Sequence, residues 1–397
     1  MLKKILFFLT IIPFMTTGSL SAAQPSPRLG VWITVFSPEK VLHSKENADR
    51  MISICERSGI SDIYLQLYRS DKAYYDSQLT DRSAFESVLS SSKEDLIPYF
   101  IKKASLKEIR VHAWVNLLSL AQNKDANIIK KYGDDVLTYD QKGRPSMSPK
   151  DDLDRYYSRE DQLFLEPGDW RVRDYLGGII QEILRKYPDF EGLHFDYIRY
   201  PTATPYIPGA RFTTQGISYG YNRLNMLNFA QATGLDPSIM NMNRVNALLW
   251  DKWRRDQVTK IIGYLSEKAR KVSPQIEISA TIVPSLEKAY FSTFQNWPEW
   301  INKKFVDNVV AMNYTDDIDL VKLYSSSLMI NDFGKNVQIG VGAYLMKDNT
   351  SAIKEQVNYL RSLSPAGVVI FSYDDIAGND ELKDFLGKNF RQSQKPS

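Results

Sequence analysis

The chain has 397 residues, with 50 Lys and Arg against 47 Asp and Glu, a net charge of +3 and 43% hydrophobic residues. That composition excludes a mostly disordered chain, and so even a charge balance supplies no bulk basic face for nucleic acid. The single cysteine, Cys55, excludes an internal disulfide and any multi-cysteine metal site, and with only three histidines no metal or other cofactor is expected. The 12% aromatic content suits stacking on sugar rings, although aromatics also fill cores.

The N-terminus reads as a secretory leader: Lys3 and Lys4, an uncharged run from Ile5 to Met15, then Ser21, Ala22 and Ala23 before Gln24. Residues 1–23 are therefore expected to be removed from an exported protein, periplasmic or secreted, that keeps no stable membrane anchor. Length fits two or three average domains or one large barrel. From residue 28 onward short β-branched runs alternate with amphipathic stretches. Strands are expected at 31–35, 62–67, 109–115, 192–196, 276–281, 306–312, 337–341 and 368–371. Helices are expected near 44–58, 94–106, 171–187, 247–272, 296–304, 317–330, 351–363 and 379–388. Eight β/α units predict a (β/α)8 TIM barrel with its site on the loops that follow the strands. One domain is expected over 24–392, with a flexible tail at 393–397. The runner-up, an open doubly wound sheet, has no G-x-G-x-x-G after any strand and no Walker A run to support it. Cys55, inside the first helix, reads as a small buried hydrophobe.

Two connections on the predicted site face are long, from Leu117 to Asp169 and from Tyr197 to about Asn246. The second carries Tyr200, Tyr206, Phe212, Tyr219 and Tyr221, which suits a cleft wall. The fourth strand, Gly192-Leu193-His194-Phe195-Asp196, alternates with period two, so His194 and Asp196 share the interior side and Asp196 closes the strand at the mouth. Partial desolvation there suits acid–base or nucleophilic work, and the bland alternative is a pair with Arg199. On the third strand His112, Trp114 and Asn116 share one face. Glu166, Glu287, Tyr314, Asp316, Asp317, Asp374 and Asp375 follow strands or precede helices, where an Asp is also a common helix cap. His112 and His194 have no zinc-type spacing, and no G-x-S-x-G elbow offers a serine nucleophile.

Taken in order, Gly30-Val31-Trp32-Ile33-Thr34, Tyr64-Leu65-Gln66, Val111-His112-Ala113-Trp114-Val115-Asn116, Leu165-Glu166-Pro167-Gly168, the fourth-strand run and Trp253-Arg254-Arg255-Asp256-Gln257-Val258 resemble the glycosyl hydrolase-like 10 family. The resemblance implies a TIM barrel in an exported bacterial protein and an enzyme acting on glycan chains, peptidoglycan among them. The sequence departs from the family pattern in three places: Tyr197 stands where many members carry a second Asp, Glu166 where Asp or Asn is common, and Tyr68 where an Arg is usual, with Arg69 displaced by one. It also lacks the chitinase acid, since Ile198 holds that position, and Val341-Gly342-Ala343-Tyr344 offers no seventh-strand carboxylate.

The expected function is glycoside hydrolysis of a polysaccharide, with bacterial cell-wall glycan first among substrates. Asp196 is the expected essential carboxylate, with Glu287, Asp316, Asp374 or Glu166 as its partner. Trp32, Trp114 and Tyr314 are expected to shape the sugar site, together with Gln66, His112, Asn116, His194 and Arg199. A non-catalytic glycan-binding barrel is the alternative, and a metal-dependent deacetylase ranks behind both.

Overall fold

The structure, a computed structural model, describes residues 27–147, 160–202, 217–242, 244–330 and 333–391. The leader, Tyr206, Phe212 and the tail at 393–397 lie outside the described residues. Eight strands run parallel: β1 (Arg28–Ile33), β2 (Asp62–Arg69), β3 (Arg110–Asn116), β4 (Gly192–Asp196), β5 (Glu277–Ile282), β6 (Asn308–Asn313), β7 (Val337–Gly342) and β8 (Gly367–Phe371). Each pairs with its sequence neighbour, and β1 pairs with both β2 and β8, so the sheet closes on itself. Closure rules out the open doubly wound alternative, which leaves edge strands unpaired.

The outer ring comprises α1 (Lys45–Arg57), α2 (Ile97–Ser105), α3 (Trp170–Lys186), α4 (Arg244–Val272), α5 (Trp297–Asn302), α6 (Ile318–Met329), α7 (Thr350–Ser362) and α8 (Asp380–Phe390). In α3, Asp169 caps the start by accepting from the Arg171 amide at 2.8 Å, and Val172, Leu176, Ile179, Ile180 and Ile183 recur at helical spacing to bury one face. Cys55 is fully buried in α1. A further helix, Ser83–Ser92, precedes α2; it buries only Phe85, so its sequence carries a weak apolar stripe. No helix among the described residues is long and apolar enough to cross a membrane.

Outward-facing residues of the strands, such as Leu193 and Phe195, join the core under the helices, while inward residues stack in layers inside the barrel. The lowest layer is ionic. Glu277 accepts from Arg28 at 2.9 Å, Arg110 at 2.6 Å and Asn308 at 2.8 Å. Asp62 pairs with Arg110 and takes His112 Nε2 at 2.9 Å. Gly192 is the counterpart of His112 across the β3–β4 pairing, and a Cβ there would lie 1.7 Å from His112 Nδ1, so only glycine leaves room for the imidazole.

The two long connections pack against each other. The first contains an antiparallel pair, Ser119–Ala121 with Leu163–Phe164, and the second a helix, Arg223–Thr233. Asn222 Nδ2 of the second donates to Leu137 O of the first at 2.9 Å, and Asp140 bridges Tyr219. Arg254 of α4 reaches in to donate to Tyr219 O at 2.6 Å while its guanidinium covers the Phe294 ring at 4.3 Å.

Candidate active site

Above the ionic floor the barrel interior is aromatic. Trp32 of β1, Tyr64 of β2 and Trp114 of β3 surround His194 of β4. Indole nitrogen can only donate, so the 3.1 Å contact from Trp32 Nε1 makes His194 Nε2 an acceptor. The imidazole proton is thereby assigned to Nδ1, which donates to Ser279 Oγ at 2.8 Å. Burial, with the neighbouring His112, drives the His194 pKa far down, so this ring is neutral. It fixes the Trp32 indole and does not face the pocket.

The mouth holds a cavity of about 190 Å3. Its walls are the aromatic faces of Trp32, Trp114, Tyr197, Tyr314 and Phe371, with Thr34, Gln66, Asn116, Thr281, Met312, Arg69 and Asp196 between them. Asp196 is 5% exposed. Its Oδ1 accepts from Thr281 Oγ1 at 2.7 Å and from the Tyr197 amide at 2.8 Å; among the described residues its Oδ2 accepts only from Trp114 Nε1, at 3.1 Å. Oδ1 is thus saturated, and Oδ2 is the oxygen with a lone pair to spare. Burial raises the Asp196 pKa against the pull of those donors and of the more distant Arg199 charge.

Local backbone makes that arrangement. Tyr197 adopts φ 53, a left-handed conformation that costs a non-glycine residue about 1 kcal/mol, and its N–H donates to the carboxylate of the preceding residue. Across the pocket, Gln66 Nε2 donates to Asn116 Oδ1 at 3.0 Å and Gln66 Oε1 accepts from the Val35 amide at 3.1 Å, so this amide pair is fixed before any ligand arrives.

The expected site residues divide by position. Asp196, Trp32, Gln66, Trp114, Asn116 and Tyr314 come together on the pocket wall. His112 shares their strand face but sits four residues below Asn116 and binds Asp62 at the floor; His194 lies in the layer between. Arg199 forms a two-pronged pair with Glu160, at 2.8 and 2.9 Å, and not with Asp196. Burial disfavours the Glu160 charge, but Arg199 and the Thr202 donors outweigh it and hold Glu160 at about 2. Glu166 is fully buried beneath the insertions, where its Oε1 accepts from Tyr200 Oη and the Gly168 amide; burial raises it to about 7.

Glu287 is exposed in the first turn of a short helix, Leu286–Phe291, and Asp316 is exposed on the loop before α6. Asp317 is the α6 cap, accepting from the Asp319 and Leu320 amides at 2.8 and 3.3 Å. Asp374 accepts from Ser37 Oγ, and Asp375 forms a capping box with Ser372. None of these lines the pocket. Thr34, Arg69, Tyr197, Thr281, Met312 and Phe371 do, and the motifs did not single them out as site residues. Period-two alternation applied to β5 would have found Thr281, two residues above Ser279 on the same interior face. Among the described residues no group of three or more His, Cys, Asp or Glu side chains is placed to hold a metal ion.

A closed parallel barrel with a desolvated carboxylate in an aromatic-walled pocket at its C-terminal rim belongs to the class of glycoside hydrolase-like TIM barrels. The glycosyl hydrolase-like 10 family model matches residues 28–360, and the chain belongs to that family. Among curated proteins it is similar to the glycosyl hydrolase DigH of Escherichia coli O6:H1 and of Escherichia coli K12, 21% identical over 228 residues in each case. That match takes in 57% of this chain and 45% of those relatives, so it spans less than half of their length. Among solved structures, the catalytic domain of a β-amylase from Paenibacillus polymyxa superposes with a TM-score of 0.59 at 12% identity, covering 94% of this chain and 100% of that one. A β-galactosidase from the psychrophilic Marinomonas ef1 gives 0.53 at 10% identity over 87% and 54%. These two likenesses concern the fold alone.

Proposed function

We propose that the protein hydrolyses O-glycosidic bonds of a polysaccharide, with Asp196 as its essential carboxylate, and that the substrate is bacterial cell-wall glycan. The observation that carries this reading is the Asp196 environment. It closes a barrel strand, is almost fully buried, opens on an aromatic pocket, and is held only by neutral donors apart from the distant Arg199. A carboxyl with a raised pKa keeps its proton into the range where a leaving glycosidic oxygen needs one, and Oδ2 has the free position from which to give it. Trp32, Trp114 and Tyr314 supply flat apolar faces for pyranose rings, and Gln66 and Asn116 present fixed amides to their hydroxyls. The family and the printed name of the curated relatives support glycoside hydrolysis, and the cell-wall substrate follows the family resemblance.

The test is incubation of the purified protein with peptidoglycan sacculi and with glycan strands stripped of their peptides, followed by mass spectrometry of released fragments. Cleavage by wild type and none by Asp196→Asn supports the reading; normal turnover by the variant removes Asp196 from the chemistry. A second reading, a barrel that binds glycan without cleaving it, is favoured by one feature: Asp196 is the one carboxylate among the described residues of the pocket wall. Co-sedimentation with sacculi and no released fragment would select it. Export belongs to the same proposal, on the strength of the leader read from Lys3 to Ala23. A mature N-terminus at Gln24, by mass spectrometry of the protein from its native cells, is the expected result.

A further inference from the structure

The pocket wall carries one positive side chain, Arg69, and it is held in place with its charge unspent. Arg69 is the last residue of β2, opposite Lys72 in a two-residue hairpin whose turn residues Ser70 and Asp71 have φ 55 and φ 57, the left-handed pair that a tight β-turn of this kind requires. The turn is locked from below. Asp71 is fully buried; its Oδ1 accepts from Tyr68 Oη at 2.9 Å, Thr80 Oγ1 at 2.8 Å and Tyr175 Oη at 2.7 Å, and its Oδ2 from the Ile128 amide at 3.1 Å. The backbone that presents Arg69 is therefore rigid.

Its guanidinium lies 4.6 Å from the centre of the Phe36 ring, which is itself 64% exposed. The ring serves as a seat that orients the cation while leaving its N–H edge open. Among the described residues no carboxylate pairs with Arg69. Asp196, the acidic group of the same pocket, has its own donors in Trp114, Thr281 and the Tyr197 amide. An oriented, unpaired guanidinium on the wall of a pocket is a receptor for a planar anion.

We propose that Arg69, seated on Phe36, binds a carboxylate carried by a sugar next to the bond above Asp196, so that the pocket selects acidic glycans over neutral ones of the same length. The inference rests on the glycan-cleaving reading and adds to it the residue that chooses the substrate. Arg69 is here a specificity residue that touches substrate and takes no part in bond cleavage.

Calorimetric titration of the full-length Asp196→Asn protein tests it without turnover. The probes are an oligosaccharide of alternating N-acetylglucosamine and N-acetylmuramic acid, and the same oligosaccharide with its carboxyls reduced to alcohols. The acidic probe is expected to bind at least about tenfold more tightly, with a preference that shrinks as salt is raised. Adding Arg69→Gln should equalise the two probes, Arg69→Lys should keep part of the preference, and Phe36→Leu should weaken the acidic probe by about threefold. Equal affinity for both probes, or a preference that survives Arg69→Gln, overturns the inference while cleavage by the wild type leaves the glycan reading standing. Binding of neither probe, together with no cleavage of glycan strands, overturns both.

Discussion

At the floor of the barrel Asp62 and Glu277 meet Arg28, Arg110 and His112; at the mouth Asp196 meets an indole, a hydroxyl and a backbone amide. Glu277 is neutralised by Arg28 at 2.9 Å and Arg110 at 2.6 Å, and Asp62 by Arg110. Burial works against the charge on Arg28, yet Asp62 and Glu277 more than offset it and keep the guanidinium protonated above its ordinary range. At the mouth the balance runs the other way, because neutral donors recover less than burial takes, and Asp196 holds its proton more tightly than a free aspartate. One barrel therefore uses acidic residues for two purposes. Charge compensation marks the end that holds the strands together, and its scarcity marks the end that carries the pocket.

The sharpest way to break the contrast is to neutralise each end in turn. Asp196→Asn should lower glycan cleavage by at least about a thousandfold, about 4 kcal/mol of barrier, while the melting curve stays cooperative. Reducing-end release and circular dichroism measure the two. Asp62→Ala should do the reverse: it leaves His112 without its partner and Arg110 with Glu277 alone, and should cost about 3 kcal/mol in urea unfolding, with cleavage per folded molecule unchanged. Loss of activity in folded Asp62→Ala protein would mean that the floor shapes the site, and the division of labour would fall.

How much of this was legible beforehand depended on period and depth. Alternation in Gly192–Asp196 is short and strict, so it placed Asp196 inside and at the rim, and the eight-unit rhythm gave the closed barrel. The same alternation put His112 on the inner face of β3 but could not give its height. At about 3.3 Å per residue, four positions below Asn116 is the difference between the mouth and the ionic floor. Glu287 and Asp374 follow strands in the chain, yet each falls in the first turn of a short helix, where direction is set by the helix start and not by the strand. Tyr197 is the least legible. A tyrosine gives no sign of a left-handed backbone, nor of an amide that donates to the Asp196 carboxylate.

Glu166 extends the comparison to a carboxyl buried under the insertions with no cation against it among the described residues. Burial holds it at about 7, well above its ordinary value. A folded-state pKa above the unfolded one means that the native state binds the extra proton. The stability this group contributes is full below about 4.5 and is lost as the pH rises through about 7, by up to about 3 kcal/mol. Glu166→Gln should flatten that loss, read as melting temperature against pH for the two proteins. An unchanged slope would show that Glu166 keeps its charge beneath the insertions.

The smallest change tests the mouth most directly. Thr281→Val preserves shape and removes one of the two donors on Asp196 Oδ1, a hydrogen bond worth about 1 kcal/mol. That donor favours the ionised form, so its loss should raise the Asp196 pKa further. The limb of the cleavage pH profile that belongs to Asp196 should then move to higher pH, whichever form of the carboxyl is the active one, while substrate affinity changes little. A profile that stays in place would mean that the proton on Asp196 does not enter the rate, and the mouth would then differ from the floor in its partners and not in its chemistry.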